Sequence, residues 1–191
     1  MQKSMKYLLC LFLTALIASC NSFLGLVKSD QIEVNPQERT LGSWLDDQTI
    51  ETTVSHNIDK ANPILDKAHV VVHSFNGVVL LTGEVPDPES RSVASAEAQK
   101  VPGVRIVHNE LAIRDNSSLF SRSGDSYLHK AIKLRLYGVD ELNGVNIDVV
   151  VEDDVAYLMG LVTRTQGEAA ADATSLTRGL RQVVKVFEYV D

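Results

Sequence analysis

Two stretches of this chain repeat one pattern. NGVVLLTGEV at 76–85 and DDVAYLMGLV at 153–162 lie 77 residues apart. Self-similarity at that distance constrains the fold before any single motif does. In each stretch a turn is followed by alternating apolar positions: Val79, Leu81, Gly83 and Val85 in the first, Ala156, Leu158, Gly160 and Val162 in the second. A period of two puts each set on one face of a strand. Glycine in third place in both sets predicts close approach by a helix, or a bulge. β-Branched runs at 70–72 and 147–151 come just before, so each copy forms a hairpin across Asn76-Gly77 or Asp153-Asp154.

A helix is expected after each hairpin. Asp87-Pro88-Glu89 supplies an N-cap, a proline at the first helical position and an acid in the first turn. Thr165-Gln166-Gly167-Glu168 fits a capping box. Each helix should stop near a glycine, Gly103 or Gly179, before a third strand at 104–113 or 180–190. Ahead of the hairpins, Ile50, Val54 and Ile58, then Leu128, Ile132 and Leu136, recur at i, i+4, i+8, which predicts two further helices. Each copy therefore reads helix, strand, strand, helix, strand. This is an α+β unit with two helices covering one face of a three-stranded mixed sheet, near the lower size at which a single core folds alone.

The N-terminal end sets the compartment. Lys3 and Lys6 precede a run at 7–18 that is apolar apart from Thr14. It falls short of the roughly 20 apolar residues a membrane-spanning helix needs and has the proportions of a signal-peptide core. Ile17-Ala18-Ser19-Cys20 follows, and it resembles the bacterial lipobox, in which the cysteine is acylated and becomes the new N-terminus. The alternative is an ordinary signal peptide with a chance cysteine. Asn21, where an aspartate would resemble an inner-membrane retention signal, points by analogy to the outer membrane. The expected organisation is a signal peptide at 1–19, a lipidated N-terminus and tether at 20–43, repeat 1 at 44–113, a Ser-rich linker at 114–124, and repeat 2 at 125–191.

Cys10 leaves with the signal and Cys20 carries the covalent lipid anchor. The mature chain then has no free thiol, which excludes disulfides, thiolate zinc sites and cysteine nucleophiles. Loss of Lys3 and Lys6 takes the formal charge from −7 to −9, a poor balance for a nucleic-acid binder. Any attraction to an anionic surface must be local.

Catalytic and cofactor motifs are missing. There is no G-x-S-x-G, no P-loop and no G-x-G-x-x-G, so no cofactor is expected and the chain does not read as an enzyme. His69 and His73 share a strand parity, but no third ligand follows at metal-like spacing, so they read as strand histidines. The acidic turn Glu152-Asp153-Asp154 lacks the alternating oxygen ligands of a calcium loop.

The segment with unexplained character is the helix expected at 125–137. Opposite its inward stripe, Tyr127, Lys130, Leu134 and Tyr137 fall at i, i+3, i+7, i+10. Lys133 and Arg135 lie beside them, and 122–137 carries a formal +3 inside an acidic chain. Basic residues next to exposed aromatics make an interfacial membrane-binding pattern. The competing reading packs Leu134 and the tyrosines on repeat 1. The corresponding helix at 47–59 has no lysine before Lys60, so repeat 1 is not expected to bind lipid.

Three features carry a resemblance: LMGLVT at 158–163, AAAD at 169–172, and the G-x-V-x-L-x-G-x-V spacing at 77–85. The repeat resembles the BON domain, with Asp154 in place of the turn glycine in the second copy. A lipobox followed by two such repeats resembles the division- and outer-membrane-stress-associated lipid-binding lipoproteins of Gram-negative bacteria. That resemblance implies a non-catalytic outer-membrane lipoprotein facing the periplasm. It also implies that the first helix of repeat 2 binds anionic phospholipid, in support of outer-membrane integrity, with division sites as one place for the role. The rival expectation is an adaptor whose repeats meet an envelope protein partner and touch no lipid. A soluble osmotic-stress protein is a third, against which the lipobox counts.

Overall fold

The computed structural model describes residues 37, 39–114 and 119–191, with backbone alone at 119–123. The expected signal peptide, Cys20 and nearly all of the tether lie outside the described residues, as do 115–118 of the expected linker. Asn35–Asp191 forms one compact unit.

In repeat 1, helix α1 (Leu41–Ala61) starts at Thr40, whose side chain accepts from the Ser43 N–H, and buries Ile50, Val54 and Ile58. Strand β1 (His69–Phe75) and strand β2 (Val78–Val85) pair antiparallel. Their turn holds Asn76 and Gly77 at φ 52° and 74°, the left-handed pair that matches strand twist in a tight hairpin. Helix α2 (Pro88–Gln99) is capped by Asp87, which accepts from Ser90 N at 2.7 Å. The third strand comes in two pieces parallel to β2: β3 (Ile106–Asn109) and β4 (Ala112–Ile113). Between them Leu111 turns into the core, and the Asn109 side chain accepts its N–H while donating to Arg91 O at 2.8 Å.

Repeat 2 follows the same order. It comprises helix α3 (Leu119–Leu136), strand β5 (Ile147–Glu152), strand β6 (Val155–Val162), helix α4 (Arg164–Ser175) and strand β7 (Gln182–Tyr189). β6 is central, antiparallel to β5 and parallel to an unbroken β7. The fold is α+β with two mixed sheets.

Several local expectations shift. α3 begins six residues before the helix expected at 125–137, inside the Ser-rich stretch. The capping box of α4 is formed by Thr163 with Gln166, two residues earlier than the pattern at 165–168. α2 and α4 end at Gln99 and Ser175, while Gly103 and Gly179, at φ 92° and 97°, serve the turn into the third strand. The glycines in β2 and β6 are approached by the neighbouring strand and its entry, not by a helix. A Cβ on Gly83, at φ 107°, would lie 2.0 Å from His69 O, and one on Gly160 would lie 2.9 Å from Asn146 O.

The two repeats meet through their sheets. On one strand parity Val79, Leu81 and Val85 pack under α1 and α2, and Ala156, Leu158 and Val162 pack under α3 and α4. The other parity is apolar as well. Phe75, Val78 and Leu80 of repeat 1 form one buried cluster with Val150, Val155, Tyr157, Met159 and Val186 of repeat 2. The sheets therefore lie back to back with the helices outside. Polar ties close the rim: Arg105 and Asn76 bond Glu188, and Arg114 spans Glu84 at 2.8 Å and Asp153 at 3.2 Å.

Gly160→Val is expected to destabilise the unit by about 1–3 kcal/mol, because the new side chain must displace backbone at the entry to β5. Denaturant unfolding measures this, and an unchanged midpoint would contradict the β5–β6 register.

Candidate functional site

The end of each repeat that carries its hairpin turn is built around one buried aspartate. Asp47, its side chain 1% exposed, sits one turn before Ile50 on the inward face of α1. Oδ1 accepts from Ser74 Oγ at 2.7 Å and Gly77 N at 2.9 Å. Oδ2 accepts from Asn76 N at 2.8 Å and Arg39 Nη2 at 2.8 Å. Burial pushes this carboxyl up, but the bonds from Gly77, Ser74, Asn76 and Arg39 outweigh it and hold the group below the usual carboxylate value. In repeat 2 the turn is held by Asp125, which accepts from Asp153 N at 3.2 Å and Asp154 N at 3.1 Å. Both turn residues there have φ above 50° or at it, 50° and 59°. Sequence reasoning passed over both acids, although each sits three residues before the first member of its inward stripe.

Tied to the hairpin turn by Asp125, α3 buries Leu128, Ile132 and Leu136. Helical geometry turns the second stripe to the opposite side. Tyr127 is 70% exposed, Leu134 76% and Tyr137 83%, so none of the three packs on repeat 1. Lys130 and Arg135 are exposed beside them. Lys133, expected beside them, is half-buried: its Nζ donates to Ile147 O at 2.7 Å and lies 3.8 Å from Asp148. Its ammonium serves the β5 entry, leaving Lys130 and Arg135 as the solvent-facing cations of that stripe.

Beside α3 runs a groove of about 700 Å³ between the repeats, lined by Trp44 and Glu51 of α1, His73 of β1, His129 and Lys130 of α3, and Asp148 of β5. Glu51 accepts from Ser74 N at 2.8 Å, and burial, with Asp148 nearby, keeps its carboxyl above the ordinary value. Burial pushes the His73 imidazole down; Asp148 opposes this and His129 adds to it. His69 is placed differently, with its Nε2 3.7 Å from Glu152 Oε1. Among the described residues His69, Glu84 and Glu152 are grouped so that one ligand atom from each lies within 4.8 Å of the others, which would suit a metal ion. The second and third donors come from β2 and β5. Spacing along β1 could not reveal them. Arg114 already holds one oxygen of Glu84. In the seam behind this group, burial of the Tyr157 phenol pushes it up to about 12.

This architecture is a pair of αββαβ units that share a sheet-to-sheet seam, present one basic, aromatic helix face, and contain among the described residues no helix long and apolar enough to cross a membrane. It defines a protein of two α+β repeats packed sheet to sheet. Residues 46–115 and 124–191 match the BON domain model, and the chain belongs to that family. Outer membrane lipoprotein DolP of Haemophilus influenzae is 35% identical over 159 residues, covering 83% of this chain and 82% of that one. This places the chain among the outer-membrane lipoproteins with BON domains. A protein of Actinobacillus pleuropneumoniae named 21 kDa hemolysin is 30% identical over 152 residues, 80% of this chain and 78% of that one. Among solved structures, the C-terminal domain of CdsD, a type III secretion structural protein of Chlamydia trachomatis, aligns with 73% of this chain and 96% of its own. The identity is 12% and the TM-score 0.31, too low to bear on the fold.

Asp47→Ala should cost about 3 kcal/mol, since it strands Arg39 and two turn N–H groups in a buried site. Urea unfolding would show it, with a smaller loss for Asp47→Asn. His73 sets an acid dependence. In the unfolded chain it takes up a proton near pH 6.5, in the folded unit only at lower pH. Stability should therefore fall as pH drops below about 6.5 and level off under the folded-state value. Melts of His73→Gln between pH 7 and 5 should show a shallower slope, and an identical slope would remove His73 as the source.

Proposed function

We propose that this protein is anchored in the outer membrane by acyl chains on Cys20 and holds anionic phospholipid headgroups with the outward face of α3. On this reading repeat 2 is the lipid-binding module, repeat 1 supports it through the shared seam, and the role is outer-membrane integrity, with division sites as one location. The chain is then a binding protein, not an enzyme. The observation that carries this is the exposure of Tyr127, Leu134 and Tyr137 on the helix that also offers Lys130 and Arg135. A soluble surface gains nothing from three large apolar side chains in a row. A headgroup layer accepts rings and methyls below and cations above. The family's outer-membrane members, and the lipid association implied by resemblance, point the same way. Neither favours an adaptor that avoids lipid.

The attraction has two parts that salt can separate. Each cation near an anionic surface contributes about 1 kcal/mol and is screened beyond a Debye length, so Lys130 and Arg135 supply about 2 kcal/mol. The apolar part is insensitive to salt. Lys130→Glu with Arg135→Glu should reduce co-sedimentation of residues 21–191 with phosphatidylglycerol vesicles by more than tenfold at low salt, with an unchanged melting temperature. Tyr127→Glu should weaken binding at low and high salt alike. Equal binding of the unaltered chain to neutral and anionic vesicles, or no effect of any of these substitutions, would favour the adaptor. Palmitate labelling of the intact chain, lost in Cys20→Ala, tests the anchor.

A further inference from the structure

The helix α1 begins earlier than the inward stripe suggested, and its first turn is apolar on the outside. Leu41 is 82% exposed, Trp44 45% and Leu45 58%. At i, i+3 and i+4 these three share one flank of the helix. Inward contacts do not explain them, because the buried members of α1 are Asp47, Ile50, Val54 and Ile58. Asp46, the acid within this turn, lines the other side of the helix, toward the 101–103 turn. The apolar flank therefore faces outward without a charge of its own.

Trp44 also lines the groove whose far wall holds Ser126 and Lys130 of α3. Tyr127 follows Ser126 directly, so the outward stripe of α3 starts where that groove ends. The groove, with Glu51, His73 and Asp148 in its lining, separates the exposed first turn of α1 from the outward stripe of α3. The chain enters α1 from the segment that begins at Cys20. Leu41 is 21 residues on, at most about 70 Å of extended backbone. The first turn of α1 is the first secondary-structure element of the folded unit after that segment.

Resting on the lipid reading of α3, we infer that the first turn of α1 is a second membrane foot: Leu41, Trp44 and Leu45 seat in the headgroup–acyl boundary of the same anionic bilayer that α3 meets. This gives repeat 1 a lipid contact that its lack of lysines argued against. The two feet differ in chemistry. α3 brings cations and rings. α1 brings a tryptophan, a ring suited to the interface, and two leucines, so its share should not depend on salt.

The protein carries its own probe, because Trp44 is its single tryptophan. Residues 21–191, which retain the whole compact unit, are titrated with phosphatidylglycerol vesicles while sedimentation and tryptophan emission are both followed. The expected result is a blue shift that tracks binding, and quenching when the vesicles contain brominated phosphatidylglycerol. Sedimentation with no shift and no quenching would overturn the second foot and leave α3 as the lipid site. Absence of sedimentation would overturn both readings. Trp44→Ser, followed by sedimentation, should bind about tenfold more weakly at high salt, whereas Trp44→Phe should stay within a few-fold. Trp44→Phe combined with Tyr127→Trp moves the probe to α3, and quenching there but never at Trp44 would again confine the contact to repeat 2.

Discussion

Val78 and Leu80 from one repeat close against Tyr157 and Met159 from the other, and most of the molecule's geometry follows from that contact. Once the sheet backs are spent on each other, every helix must lie outside. Each sheet keeps its third strand parallel to the central one, and the first strands, β1 and β5, are left side by side along the groove. His69 and Glu152, then His73 and Asp148, face each other across it. The seam itself is apolar and insensitive to salt. Its rim is charged, with Arg105 raised and Glu188 lowered from their ordinary values by their mutual hydrogen bonds. The rim fixes alignment more than it adds stability, since exposed ion pairs contribute little.

The same arrangement determines which surface is available for a large flat partner. The helices present their outer faces, and on α4 and α2 these are polar or small-residue surfaces. Exposed rings concentrate instead at α3 and at the start of α1. Each helix meets its hairpin turn about two turns in, at Asp47 or Asp125. The aspartates thus tie each helix to the hairpin turn of its own repeat.

Much of this was legible from residues alone. The parity of Val79, Leu81 and Val85, the stripes at Ile50 and Leu128, and the outward set on α3 all appear as plain periods, and local geometry honours them. The seam did not emerge, although its signal was present. β2 and β6 are apolar on both parities, and a strand that hydrophobic is buried on both faces; reading a period of two hid the second set. The bond from Lys133 to Ile147 O was not legible, because a helical wheel does not hold the strand entry beside it. The third strand of repeat 1 looked continuous because Leu111 fits a strand equally well as a plug in the core. Asp47 and Asp125 were invisible for a different reason. A buried carboxylate is justified only by partners distant in sequence, here a turn some 30 residues away.

That aspartate also bears on what a duplicated unit can tolerate. Repeat 1 turns its hairpin with Asn76-Gly77, a pair suited to left-handed backbone, and Asp47 receives both of its turn N–H groups. Repeat 2 turns with Asp153-Asp154, neither of them glycine, and one of them a second acid beside a third. Asp125 receives both turn N–H groups, while Arg114 and Arg181 bond Asp153. A helix carboxylate receives the turn N–H groups in both repeats, with or without a glycine in the turn, and the two tips differ in sequence while keeping one shape.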